Sequence, residues 1–411
     1  MRITLIGCPF KTSYGAASES LLKALEKRTG SAVEWVASNC GCGDAAELNR
    51  QFQMPREKYK YFDMVAFTDN PPRQPWKRPL KFVAGKIIYY LRAQKYWKLS
   101  AGAEVANFQQ TLNAYGSTAL FYWLSKPAQA ARVVTVHELD RYQLANPDSN
   151  RAYNKADAII VQHGPMRDKL IDLGVDPTLI EIVVHGTDLP AIDENQPRDG
   201  MVFYCGHHPF SSKGLHGVFK GLALLKTRLG PAAPKLKVHG YISADDLAVL
   251  KALGAELGLE NDVCWFNQIS IREALGMYQS SLLCVLPYMG SSAGLAAATA
   301  AAAGLPVIGT KNAGIPEQIG EKNGIWLKDD NAEEIAAQIE RLIASAELRR
   351  DLSTRLRKHA KQYLTWDTVA DNTLAVYEQA LERKGEMANK GPQRINGAEK
   401  EIAEDPLVVL Q

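Results

Sequence analysis

A doubly wound α/β fold in two domains is what this sequence predicts, and three observations predict it. The chain has 411 residues, 46% of them hydrophobic, which is enough to bury two cores and too long for one compact domain. Short apolar runs alternate with amphipathic helical stretches in both halves, the pattern of parallel βαβ units. Residues 285–317, VLPYMGSSAGLAAATAAAAGLPVIGTKNAGIPE, then join a strand, a Gly/Ser loop, an alanine-rich helix and a second strand with almost nothing between them.

Taken in order, residues 2–8 (RITLIGC) read as a buried strand, Tyr14, Gly15 and Ala16 as a loop, and residues 18–28 as a helix with Leu21, Leu22 and Leu25 on one stripe. Strands follow at 133–137, 158–162 and 181–185. Residues 193–200, DENQPRDG, are polar with Pro and Gly and read as a linker. A second set of strands follows at 201–205, 235–240, 263–266, 281–286 and 306–309. Helical periodicity returns at 331–344 and 347–363, and residues 384–411, rich in Gly, Glu and Lys, are expected to be a mobile tail. The resulting expectation is two facing Rossmann-like domains with a cleft between them.

The stretch after the 281–286 strand has the chemistry of an anion site. Pro287 ends the strand, Gly290, Ser291 and Ser292 form the loop, and a helix follows from Leu295. The first N–H groups of a helix lack intrahelical acceptors and carry the positive end of its dipole, so a diphosphate can dock there. Small side chains at Ser292, Ala293 and Gly294 let a ligand approach the backbone. The helix itself must be buried, since Thr299 is its only polar side chain between Ala296 and Ala303.

The six cysteines do not form a disulfide framework: Cys8, Cys205, Cys264 and Cys284 sit in apolar runs, where Cys acts as a small hydrophobe. Cys40 and Cys42 lack a second Cys or His pair at zinc-like spacing, so no metal is expected. No run of 18 apolar residues occurs and the amino terminus, MRITLIGCPFKTS, has no signal-peptide pattern. A cytoplasmic protein is therefore expected.

KADAIIVQHGPMRDKLIDLGVDPTLIEIVVHGTD, the YCG…KG segment, SIREALGMYQSSLLCVLPY, GLPVIGT and GIPEQIG stand here in the order found in the retaining glycosyltransferases of family 4, and the chain resembles a GT-B enzyme of that family from residue 1 to about 383. The resemblance implies an acceptor domain over 1–192, a donor domain over 193–365, and a helix over 366–383 returning to the first domain. It also implies a nucleotide-diphosphate sugar as donor substrate, a glycan or lipid-linked acceptor, and no obligatory metal or other cofactor.

Site roles carry over residue by residue. Lys213, in SSKG, matches the family lysine that pairs with the donor diphosphate, and His207 stands where an arginine usually precedes it, replacing a permanent cation by a pH-dependent one. His137, in TVHEL, matches the histidine beside the donor sugar. Gly15 matches the glycine loop over the diphosphate, with Ala16 in place of the usual second glycine. Ser292, Ala293, Gly294 and Leu295 supply the amide cradle. Aligned through Leu295 and Gly304, the family's paired glutamates fall at Ser291 and Thr299, so neither carboxylate is present. A charge-assisted hydrogen bond contributes about 1.5–3 kcal/mol, so the missing ribose contact would weaken nucleotide binding by about one to two powers of ten.

Between residues 70 and 103 lie eight basic residues, Arg73, Lys77, Arg78, Lys81, Lys86, Arg92, Lys95 and Lys98, and no acidic one. Aromatic residues including Trp76, Tyr89 and Trp97 are interleaved, and Leu80, Val83, Ile87 and Leu91 form one helical stripe, a composition suited to an interfacial helix on anionic lipid. A surface helix with its apolar stripe packed on the first domain would have the same sequence. No nucleic-acid module accompanies the charge. Two function classes thus fit the sequence: a retaining hexosyltransferase of cell-envelope polysaccharide or glycolipid synthesis, docked on the inner face of the membrane, and a catalytically silent GT-B protein acting as a partner subunit or sugar-binding module.

Overall fold

The computed structural model describes residues 1–7, 13–31, 33–38, 59–62, 78–110, 114–125, 128–137, 151–191, 198–206, 210–240, 242–267, 271–290 and 294–389. They form two compact units. Unit 1 comprises Met1–Gln162, Met166–Val183 and the chain from Ala370; unit 2 comprises His163–Pro165 and Val184–Val369.

Unit 1 holds a seven-stranded sheet of β1 (Ile3–Gly7), β2 (Val33–Ser38), β3 (Tyr59–Phe62), β4 (Val105–Gln110), β5 (Ala131–Val136), β6 (Ala158–Val161) and β7 (Ile180–Ile182), in the order β3-β2-β1-β4-β5-β6-β7. Every pairing is parallel. Parallel sheets are covered on both faces, and all residues of β1, β5 and β6 are accordingly buried. Unit 2 repeats the plan with β8 (Val202–Cys205), β9 (Leu236–Gly240), β10 (Val263–Asn267), β11 (Leu283–Leu286), β12 (Val307–Thr310) and β13 (Ile325–Leu327), again all parallel, in the order β10-β9-β8-β11-β12-β13. This is the expected α/β, doubly wound Rossmann-like architecture, present twice.

The alanine-rich helix Leu295–Ala302 is central to unit 2. Ala297, Ala298, Ala300 and Ala301 have no exposed surface, and their small side chains let the helices Ala346–Tyr363 and Ile315–Ile319 pack close. The helix ends at Gly304, whose carbonyl accepts from the Ser353 hydroxyl at 2.6 Å and from Arg198 at 3.0 Å. The two helices that follow start where local chemistry dictates: the Asn331 side chain accepts from the Glu334 amide ahead of Ala332–Ala344, and that of Ser345 from the Leu348 amide ahead of Ala346–Tyr363.

Several expectations change. The loop expected at residues 14–16 is the first turn of a helix, Ser13–Thr29; its amides remain unbonded within the helix because first-turn N–H groups have no acceptor four residues back. The strand expected at 181–185 ends at Ile182. The end of the expected linker is docked rather than loose: the Asp199 amide donates to the Ser280 carbonyl at 2.8 Å, and Arg198 donates to the carbonyls of Ser281 and Gly304. The last helix, Trp366–Asn389, runs into the expected tail, whose remainder, 390–411, lies outside the described residues. Its first turn is seated in unit 2, where the Trp366 ring fills the space a Cβ on Gly186 would need and its Nε1 donates to Asp188 at 3.1 Å.

The basic helix, Arg78–Ser100, turns inward a face other than the apolar stripe read as interfacial. Ala93, Tyr96 and Ser100 are buried, and so is Arg92, at 2% exposure, which removes Arg92 from the charged surface assigned to it. Ile87 and Leu91, by contrast, are 54% and 50% exposed. The inward face is set by Tyr96, edge-on to Phe108 of β4 at 5.5 Å, and residues four positions apart share that face. Lys95 and Lys98 are exposed and Trp97 is half-buried, while the side chains of Arg78, Lys81 and Lys86, and all of Lys77, lie outside the described residues.

Candidate functional site

In an open α/β sheet a ligand binds beyond the carboxyl ends of the strands where the strand order reverses. Unit 2 reverses between β8 and β11. Past β8, the short turn Phe210–Lys213 leads to Gly214 at φ 65°, where a Cβ would lie 2.2 Å from the Pro287 carbonyl oxygen. Only glycine satisfies both the left-handed backbone and that approach. Past β11, the amides of Met289 and Gly290 donate to the Ser212 carbonyl at 2.9 and 3.1 Å. The two loops are thereby sewn together.

Lys213 is placed by this stitching. Its Nζ lies 4.7 Å from the centre of the Tyr288 ring, a cation–π contact, and its carbonyl accepts from the Tyr204 hydroxyl at 3.2 Å. The Tyr288 hydroxyl donates to the Cys205 carbonyl, and the Tyr288 carbonyl accepts from Thr310 Oγ1. Burial pushes the Tyr288 phenol far above its ordinary range, so a neutral ring backs the ammonium group. Sequence reasoning did not single out Tyr288 or Tyr204; the signal available was an aromatic immediately after Pro287 in a strand-end loop.

Gly294, at φ 75°, caps the helix Leu295–Ala302, and a Cβ there would lie 2.6 Å from the Gly314 carbonyl and 2.7 Å from Gln318 Cγ. The helix start thus rests on the turn before Ile315–Ile319. Thr299 donates its hydroxyl proton to the Leu295 carbonyl at 3.0 Å, which leaves its oxygen to accept. His207, Ser291, Ser292 and Ala293 lie outside the described residues, as do Cys8, Cys40 and Cys42. Glu317, in GIPE, accepts from the Gly164 amide at 2.7 Å.

Unit 1 reverses between β1 and β4. Gly7 ends β1 at φ 87°, its carbonyl accepting from Trp35 Nε1 at 2.9 Å. Gly15 lies in the first turn of Ser13–Thr29. His137 follows β5, is 4% exposed, and has Nε2 2.9 Å from Gln109 Oε1. Burial pushes its pKa down to about 3, so the ring is neutral at physiological pH. Ser18 Oγ also donates to Gln109 Oε1, at 3.4 Å, tying the glycine-bearing helix to the histidine. Gln109 was not singled out from sequence, although a polar residue in a strand otherwise flanked by Val105 and Phe108 is a visible irregularity.

Among the described residues no group of three or more His, Cys, Asp or Glu side chains could hold a metal ion, and no helix is long and apolar enough to cross a membrane.

The two doubly wound sheets define the GT-B class of fold. Residues 192–359 match the family model of glycosyl transferases group 1. An uncharacterized glycosyltransferase of Methanocaldococcus jannaschii is 27% identical over 191 residues, 46% of this chain and 47% of that one. The MMP alpha-(1->4)-mannosyltransferase of Mycolicibacterium hassiacum is 25% identical over 233 residues, 55% of this chain and 54% of that one. The alignments therefore span about half the length of these relatives. Among solved structures, Anabaena HepE in complex with UDP superposes with a TM-score of 0.70 at 16% identity, covering 92% of this chain and all of that one.

Proposed function

We propose that this chain is a retaining glycosyltransferase that moves a hexose from a nucleotide-diphosphate sugar to a glycan or lipid-linked acceptor in cell-envelope polysaccharide or glycolipid synthesis. The observation that carries the reading is Lys213 held over Tyr288 past β8, with the Gly294-capped helix start past β11, at the strand-order reversal of the unit whose sequence matches the group 1 family model. One ammonium and several backbone amides there suit a diphosphate better than any neutral ligand.

In this reading the leaving diphosphate is stabilised as the bond from sugar C1 to the β-phosphate oxygen breaks. That oxygen takes the proton of the attacking acceptor hydroxyl, and the new C1–O bond forms on the same face of the sugar. No protein carboxylate is required as a base, so Ser291 and Thr299 in the glutamate positions leave turnover available. Lys213 and the amides of residues 292–295 supply the electrostatic stabilisation, with His207 as a second, pH-dependent cation. The family resemblance assigns His137 to the donor sugar and Gly15 to the diphosphate.

Docking on the inner face of an anionic membrane fits the exposed Ile87 and Leu91 beside exposed Lys95 and Lys98. A catalytically silent binding module is the second reading, favoured by the same two missing carboxylates and by the turn of the Thr299 hydroxyl onto its own helix. Mass spectrometry of purified protein incubated with mixed nucleotide sugars and membrane extract separates them. A glycosylated product with release of the nucleoside diphosphate is expected; binding of nucleotide without any product would leave the silent module.

A further inference from the structure

A line of buried polar side chains crosses the sheet of unit 1 and ends on His137. Asn107 Nδ2 donates to the Tyr377 hydroxyl at 2.7 Å, and Thr135 Oγ1 donates to Asn107 Oδ1 at 3.0 Å. Gln109 Nε2 donates to Thr135 Oγ1 at 3.3 Å, and Gln109 Oε1 stands 2.9 Å from His137 Nε2. All five side chains are at most 5% exposed.

The line has a direction. With Asn107 Oδ1 turned to Thr135, the one hydroxyl proton of Thr135 goes to Asn107, and Thr135 accepts from the Gln109 amino group. This turns the Gln109 carbonyl oxygen toward the imidazole. A carbonyl oxygen only accepts, so His137 Nε2 must carry a hydrogen. A neutral imidazole has one such hydrogen, and Nδ1 is then the lone-pair nitrogen.

We infer that Gln109, aligned by Thr135, Asn107 and Tyr377, is a positioning residue that holds His137 as the Nε2–H tautomer and makes Nδ1 the acceptor nitrogen of the ring. The consequence for substrate rests on the proposed role of His137 beside the donor sugar. A ring that accepts at Nδ1 selects a sugar carrying a free hydroxyl at the position it meets, and discriminates against a deoxy or fluoro sugar there. The same Gln109 oxygen accepts from Ser18, on the helix that bears Gly15, so one amide aligns both unit 1 elements assigned to the donor.

Long-range ¹⁵N–¹H correlation spectra of the full-length protein test this directly, with the His137 signals identified by their loss in His137→Gln. Between pH 5.5 and 8 the expected pattern is a protonated Nε2 and an unprotonated Nδ1. Gln109→Glu keeps the acceptor but adds a negative charge, so the ring should become imidazolium near neutral pH. Gln109→Leu and, more mildly, Tyr377→Phe should give a tautomer mixture, with the amide spectrum reporting that the fold persists.

A protonated Nδ1 in the wild type, or an unchanged tautomer in Gln109→Leu, would overturn the inference. The wild-type spectrum decides the first point even if every variant misfolds. None of these readouts involves nucleotide, so failure of donor binding with the expected tautomer removes the glycosyltransferase reading alone, and the opposite tautomer with intact donor binding removes this inference alone.

Discussion

At the scale of single residues, the site depends on close backbone approaches that a methyl group would spoil. Gly214 is the sharpest case, because its left-handed φ and the Pro287 carbonyl 2.2 Å from an added Cβ act together. Gly214→Ala should lower stability by about 2 kcal/mol or more and displace Lys213. A urea denaturation curve indistinguishable from wild type would show that the loop relaxes freely. Lys213 was legible in the sequence only through the resemblance of its SSKG segment to the family motif. Its Tyr288 backing was not, because the contact joins two loops far apart in the chain. Gln109 was hidden for a related reason: β4 contains Asn107, Gln109 and Gln110, and three polar residues in six broke the apolar run by which strands are recognised.

At the scale of elements, periodicity located the basic helix and its apolar stripe but counted Arg92 among the surface charges. The expected stripe through Ile87 and Leu91 is the outward one, and Arg92 with Tyr96 turns inward. An arginine on the buried side is not visible in a hydrophobicity pattern, since its alkyl stem packs like an apolar side chain. The outward stripe supports the docking proposal, because exposed apolar side chains lie within one helical turn of Lys95. Replacing Ile87 and Leu91 together by Glu should abolish co-sedimentation with anionic liposomes at low salt while leaving the thermal midpoint within a few degrees. Retained co-sedimentation would assign lipid binding elsewhere. The alanine helix was legible from composition: with one polar side chain in eight residues it is not a solvent-facing helix, and Ala297, Ala298, Ala300 and Ala301 are fully buried. The short strand β13 (IWL) carries too few residues for any periodic signal.

At the scale of the whole molecule, each unit buries a histidine that stays neutral. Burial pushes His163 of unit 2 down to about 4 and His137 of unit 1 to about 3. The unfolded chain, with an ordinary histidine pKa near 6.5, binds more protons than the folded one below that pH. Stability is therefore greatest above pH 6.5 and falls as pH drops toward the folded values. At about 1.4 kcal/mol per pH unit, His163 alone should account for about 2 kcal/mol of the loss between pH 7 and 5. Urea denaturation at the two pH values should show that much less loss in His163→Gln; an identical pH dependence would mean that His163 charges within the fold. The doubly wound class was legible from strand and helix alternation in both halves, whereas the unit boundary at Val183 and Val184 was not, since the polar stretch at 193–200 is the more conspicuous break in composition.

In the proposed function, Lys213 and the helix-start amides past β11 bind the diphosphate of a nucleotide sugar. Isothermal titration with a panel of nucleoside diphosphates and their sugars tests it most directly, run on the wild type and on Lys213→Ala. Binding of at least one nucleotide by the wild type is expected, weakened about tenfold or more in the variant, in line with the 1.5–3 kcal/mol of a charge-assisted contact. Equal affinity in both proteins, or no heat with any nucleotide in the wild type, would contradict it.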